Sequence, residues 1–151
     1  MIYKWKSPSG VKADPNTAAK QFHELETTIG LTPKNLLEAN RDEEAPLHNE
    51  FEWDDTIAAE SYRVHQAGQL IRMLCIAPET STEDNTPIRA YFTTSASKSY
   101  EHIETIIQNA DKYADLKKQA FAELSAFQKK YYMLADLDYL MRVINDTIRK
   151  E

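Results

Sequence analysis

Apolar positions recur at helical spacing through the first third of this 151-residue chain. Ala18, Ala19, Phe22 and Leu25 fall three or four apart, behind the start signal Asp14-Pro15 and ahead of Gly30. A side-chain oxygen before proline at the first helical position, and glycine after the last turn, are what helix ends favour. The grammar repeats at once: Thr32 caps, Pro33 opens, and Leu36 and Leu37 turn inward. The pattern predicts helix, glycine-containing turn, helix over 14–41. "DEEAPLHNEF" reads as a loop, because Pro46 stops the second helix from running on. A third helix is predicted through "WDDTIAAESYRVHQAGQLIRML", with Ile57, Val64, Ala67 and Ile71 as its stripe and Asp54 and Asp55 capping its start.

Periodicity then changes. "LIRMLCIA" is rich in β-compatible residues, and "IRAYFTT" alternates Ile88, Ala90 and Phe92 with Arg89, Tyr91 and Thr93. Two such runs across the polar loop "PETSTEDNTP" predict a β-hairpin within 70–94. A lone hairpin is marginal, so "MIYKW" is the candidate third strand. Helical spacing returns over 100–151. "YEHIETIIQN" predicts a short helix. A longer stripe follows through Tyr113, Leu116, Ala120, Leu124, Phe127 and Tyr131, and another through Leu137, Leu140, Met141, Ile144 and Ile148. One uninterrupted helix from 111 to 151 would be about 60 Å long. A break near Leu134–Asp136, folding the two stripes together, suits a small protein better. The fold class is therefore α+β: a predominantly helical single domain (1–151), with a helical half at 1–75, a small antiparallel β-hairpin or three-stranded sheet, and a C-terminal helical pair.

Composition narrows the function more than the fold. The chain is 42% hydrophobic and 28% charged, near the globular average, with a formal net charge of −6. Residues 1–75 carry 12 acids against 8 bases, and 76–151 carry 12 against 10. Neither half is a basic domain of the kind that neutralises a phosphate backbone. The single cysteine, Cys75, sits in an apolar run and reads as a buried thiol. No apolar run approaches the ~20 residues that span a bilayer. The opening lacks a signal-peptide core, so a soluble, cytoplasmic protein without membrane contact is expected.

Candidate chemistry is sparse. "APLHNEFEWDD" packs His48, Glu50, Glu52, Asp54 and Asp55 around Phe51 and Trp53. Carboxylates and an imidazole are metal-ligand types, and a metal-dependent hydrolase at 48–55 is one alternative. The stretch has neither the EF-hand loop pattern nor HExxH. The structural alternative makes Asp54 and Asp55 the helix cap, with Phe51 and Trp53 buried beneath the third helix. The three glycines, Gly10, Gly30 and Gly68, lie far apart and form no phosphate loop, and no catalytic signature is present. Neither a cofactor nor a metal is expected. The helix-turn-helix-like segment offers Lys34, Asn35 and Arg41 for nucleic acid, opposed by Glu38 and the acids at 42–44. His48 and Arg63 complete the binding candidates.

The string "APLH", "FEWDD", "AAE", "YR", "QA" and "LIR" over residues 45–72, with "AFAELSAFQKKYYML" later, resembles a family of small uncharacterised proteins encoded by tailed phages and prophages. The resemblance implies a phage origin and action in the host cytoplasm, and no functional residues. Together these readings lead to a non-enzymatic binding protein acting on nucleic acid or a nucleoprotein machine. The alternative is a protein-binding inhibitor of a host system, using its acidic surface. A homodimer through residues 111–150 is expected, because apolar surface off the main stripe, at Phe121, Tyr132 and Met133, needs cover.

Overall fold

A computed structural model describes residues 1–7, 9–55, 59–77 and 86–150. The two local start signals form as the sequence predicts. Helix α1 spans Pro15–Thr28, and Asp14 Oδ2 accepts from the Thr17 amide at 2.7 Å. Helix α2 spans Pro33–Ala39, and Thr32 Oγ1 accepts from the Asn35 amide at 3.0 Å. Gly30 joins them at φ +88°, where a side chain is strained, and its amide closes α1 on Leu25 O at 2.8 Å.

Helix α3 spans Glu60–Met73 and passes without a turn into strand β2, Leu74–Ala77. Strand β1, Ile2–Trp5, and strand β3, Ile88–Arg89, flank β2 in an antiparallel sheet of order β1-β2-β3. The register places Trp5 opposite Leu74, and Cys75 opposite Arg89. The predicted hairpin and its third strand are both present.

The next strand departs from the sequence reading. "IRAYFTT" is not one strand: it breaks at buried Ala90, whose amide donates to Leu74 O while its carbonyl accepts from the Ile103 amide. Beyond it, strand β4, Tyr91–Thr93, pairs with strand β5, Tyr100–His102, in a second antiparallel sheet. The predicted helix from Tyr100 is thus corrected. It is restricted to α4, Ile103–Ile107, because Tyr100–His102 finds strand partners on β4, and the Tyr100 amide bonds Leu31 O at 2.7 Å.

The core lies where α1, α2 and α3 meet the sheets. Phe22, Leu31, Leu36, Leu37, Ile71 and Leu74 are fully enclosed, and the Phe22 ring meets Tyr91 edge to face at 5.5 Å. The C-terminal pair stands outside this core. Helix α5 spans Ala110–Tyr131 and helix α6 Asp138–Arg149, with a 3₁₀ turn at Ala135–Leu137 between them. The chain folds back near Leu134, and Gln128 Nε2 donates to Met141 O at 3.0 Å. Polar bonds tie α5 to the second sheet: Asp115 accepts from the Ser95 amide at 2.5 Å, and Gln119 Nε2 donates to Thr93 O at 3.3 Å. Among the described residues no helix is long and apolar enough to cross a membrane.

Candidate functional site

The acidic stretch becomes a clasp around one arginine. His48–Glu50 forms a 3₁₀ turn, and the chain then runs extended toward α3. Arg63, buried on α3, donates from Nε to Glu52 O at 2.7 Å and from Nη2 to Trp53 O at 3.3 Å. It also pairs with Asp55, and with Glu60 at 3.4 Å. Its guanidinium lies 5.4 Å from the Trp53 ring centroid, and the His48 ring stacks on that indole at 4.7 Å and 9°. The indole Nε1 donates to His48 O at 2.8 Å.

This overturns the cap assignment. Helix α3 begins at Glu60, and Ala59 precedes it with no side-chain cap bond. A capping oxygen must reach amides two or three residues ahead, and Asp54 and Asp55 are too far upstream. Asp55 takes the Arg63 charge instead, and the Asp54 amide bonds Glu52 Oε1. Ile57 of the predicted stripe lies outside the described residues. Phe51 is buried as expected. Trp53 is only half-buried, because it serves as the platform for His48 and Arg63 rather than as a plug beneath the helix. The carboxylates disperse: Glu50 Oε1 accepts from the amides of Lys12 and Ala13 at 3.0 and 2.7 Å. Among the described residues no group of three or more His, Cys, Asp or Glu is arranged for a metal ion.

Of the nucleic-acid candidates, Asn35 and Arg41 are already engaged within the chain. Asn35 donates to the carbonyls of Ile29 and Gly30, closing α1 rather than pointing to a base. Arg41 forms a fork with Glu38 at 2.8 and 2.9 Å and reaches Glu60 at 2.5 Å. Hydrogen bonding to Glu38 holds its guanidinium above the ordinary value. His48 donates Nδ1–H to Asn40 O at 3.0 Å. Lys34 remains exposed and forms no ion pair among the described residues. Sequence reasoning missed Asn40, a fully buried amide. It donates to Leu36 O and Gln21 Oε1 and accepts from Leu47 N and Gln21 Nε2. Its place just after α2, where asparagine serves as a cap, was the available signal.

A second cluster was also missed. A cavity of about 370 Å³ is lined by Tyr3, His23, Tyr91, His102 and Glu104, among others. The His102 Nδ1 accepts from the Glu104 amide at 3.3 Å and so caps α4. The ring proton therefore sits on Nε2, which faces Tyr3 Oη at 3.4 Å. Both nitrogens are committed, so the imidazole has no free lone pair for a general base. Burial holds His102 below its ordinary value, with Glu104 and Glu26 opposing and His23 reinforcing. Glu26 accepts the His102 amide at 2.9 Å through Oε1, while its buried Oε2 accepts no hydrogen bond.

A prediction follows from the sign of that shift. With the folded value depressed, the contribution of neutral His102 is complete above the unfolded value of about 6.5 and is lost as pH falls through the folded one. The melting temperature should therefore decline on acidification below that point. His102→Asn, which keeps a capping acceptor, should flatten that part of the decline. Parallel curves for the two proteins would remove His102 from the account.

A further uncommitted apolar surface lies on the C-terminal pair. Helix α5 buries none of its 22 residues, and α6 buries only Met141 and Ile144. Tyr132, Met133 and Tyr139 are 71%, 78% and 81% exposed, beside partly exposed Leu124, Phe127, Leu140 and Val143. No protein-family model, curated protein or solved structure matches the chain.

Proposed function

We propose that this chain is a non-enzymatic binding protein that works through protein–protein contact. Its contact surface is the apolar face of α5 and α6, and a second copy of the chain is the occupant. The phage resemblance fits a role on a nucleoprotein machine in the bacterial cytoplasm. The observation that carries the reading is the uncovered helical pair: a 22-residue helix without one buried side chain, packed on a shorter helix with two. Clustered exposed apolar residues of this kind mark interfaces. Charge favours self-association over a strongly charged partner. Residues 1–109 carry 17 acids and 10 bases, whereas 110–150 carry 6 acids and 8 bases in mixed order. Mixed signs on one face can complement themselves about a twofold axis, the commonest oligomeric symmetry. Base reading by α2 has less support, because Asn35 and Arg41 are already bonded within the chain.

Light scattering at micromolar concentration should return twice the chain mass. Tyr139→Glu with Val143→Glu adds two charges one helical turn apart on exposed positions. This variant should return a single chain mass with an unchanged circular dichroism spectrum. A wild-type monomer, or a dimer indifferent to these substitutions, would reject the contact.

A further inference from the structure

The register of the first sheet gathers three cations at one point. Trp5 lies opposite Leu74, so Lys6 falls beside the end of α3, its amide bonded to Met73 O at 2.8 Å. Arg72 stands one residue before Met73 in the last turn of α3. Arg89 lies opposite Cys75 on the other side of β2. The three side chains line a cleft of about 780 Å³ around the junction of α3 and β2, with no acidic residue among the described residues of its lining. In the body of residues 1–109, where acids outnumber bases 17 to 10, this is a local reversal of charge.

None of these cations forms an ion pair among the described residues. Arg72 donates one Nη1 bond, to the Tyr100 hydroxyl at 3.1 Å. Arg89 is half-buried, its Nε bonded to Tyr91 O at 2.8 Å and its guanidinium 4.8 Å from the Phe92 ring centroid. Burial lowers the Arg89 value. Arg72 adds to that effect, and Tyr100, Glu123 and Cys75 oppose it without closing an ion pair. Arg89, partly desolvated beside Arg72, lacks among the described residues the counter-charge that such burial calls for. The remaining guanidinium donors suit a phosphate, which takes paired N–H bonds. Gln69 and Thr86 add uncharged donors, and Met73 and Pro87 provide an apolar wall. The volume lies within the range of small-molecule sites, well beyond what a bare inorganic anion fills.

We propose that this cleft binds a phosphate monoester of nucleotide size, its phosphate among Lys6, Arg72 and Arg89 and its organic body against Met73 and Pro87. The same chemistry comes from a free nucleotide or from the phosphorylated 5′ end of a strand, and the free nucleotide fits a bounded cleft. No residue of 110–150 lines it, so the site stands independently of the dimer.

Calorimetric titration of the full chain with AMP, GMP, CMP and UMP tests this, beside the matching nucleosides and a 5′-phosphorylated single-stranded oligonucleotide. At least one monophosphate should bind one per chain and raise the melting temperature, while its nucleoside does not. Lys6→Gln with Arg72→Gln alters two exposed side chains and should weaken that binding by about tenfold or more, the scale of losing charge-assisted bonds. Lys20→Gln, an exposed cation outside the cleft, should leave it unchanged, as should Tyr139→Glu with Val143→Glu. No binding by any of the four monophosphates would overturn the proposal. So would equal affinity in the Lys6/Arg72 variant, nucleosides binding as tightly as their phosphates, or binding of the oligonucleotide alone.

Discussion

Phe22→Ala should destabilise the protein by about 3–5 kcal/mol, the usual range for removing an aromatic ring from a closed core. Phe22 has no exposed surface, and its ring stands edge to face against Tyr91, itself buried on β4. Truncation therefore loses the transfer term and the ring–ring contact, and leaves a void bounded by helix and sheet that cannot readily collapse. For a domain of this size, the loss corresponds to a fall in melting temperature of roughly 10 °C or more. Urea unfolding should show a lower midpoint at nearly constant slope, which separates lost stability from a changed denatured state. A loss below about 1 kcal/mol would mean that the site repacks around the missing ring, contrary to the close packing expected of such a core.

Trp53→Ala should lose about 3 kcal/mol, at the lower end of the same range because the indole is only half-buried. The substitution removes the platform for His48, the face beneath Arg63 and the bond to His48 O together. Trp53→Phe separates these contributions. It keeps an aromatic face and loses the Nε1 donor, so it should cost about 1 kcal/mol. Melting curves and urea midpoints of the two variants decide the matter. A Trp53→Ala protein as stable as the wild type would mark the ring as a surface for a partner rather than part of the Arg63 clasp.

The clasp also accounts for how the acidic stretch misleads. Five acidic or imidazole side chains in eight residues invite a metal or a cap, yet four of them find separate local tasks. Glu50 bonds the amides ahead of α1, Glu52 the Asp54 amide, Asp55 the guanidinium of Arg63, and His48 the carbonyl of Asn40. The partner that organises the segment, Arg63, lies eight residues beyond Asp55 on another element, and nothing in the segment's own spacing points to it. The cationic cleft was hidden for the same reason. Lys6, Arg72 and Arg89 are scattered over the chain and converge through strand register and the passage of α3 into β2.

What the amino-acid sequence determined by itself was the set of elements whose causes are local. Asp14-Pro15 and Thr32-Pro33 start helices through bonds that reach three residues ahead, and Gly30 ends α1 through a backbone angle that glycine adopts freely. The two C-terminal stripes follow equally from spacing along one chain segment, whereas the break between them was expected only because a single rod of that length suits a small protein less well. Tertiary structure decided whatever needed a distant partner. Tyr100–His102 is a strand because β4 and Leu31 supply its hydrogen bonds, and Ala90 divides two sheets because Leu74 and Ile103 bond it from opposite sides. Asp55 leaves the helix start because a buried guanidinium offers a stronger partner than a backbone amide. Pairing across a sheet and ion pairing across a fold depend on which segments meet, and that is set by burying the whole core rather than by any short run of residues.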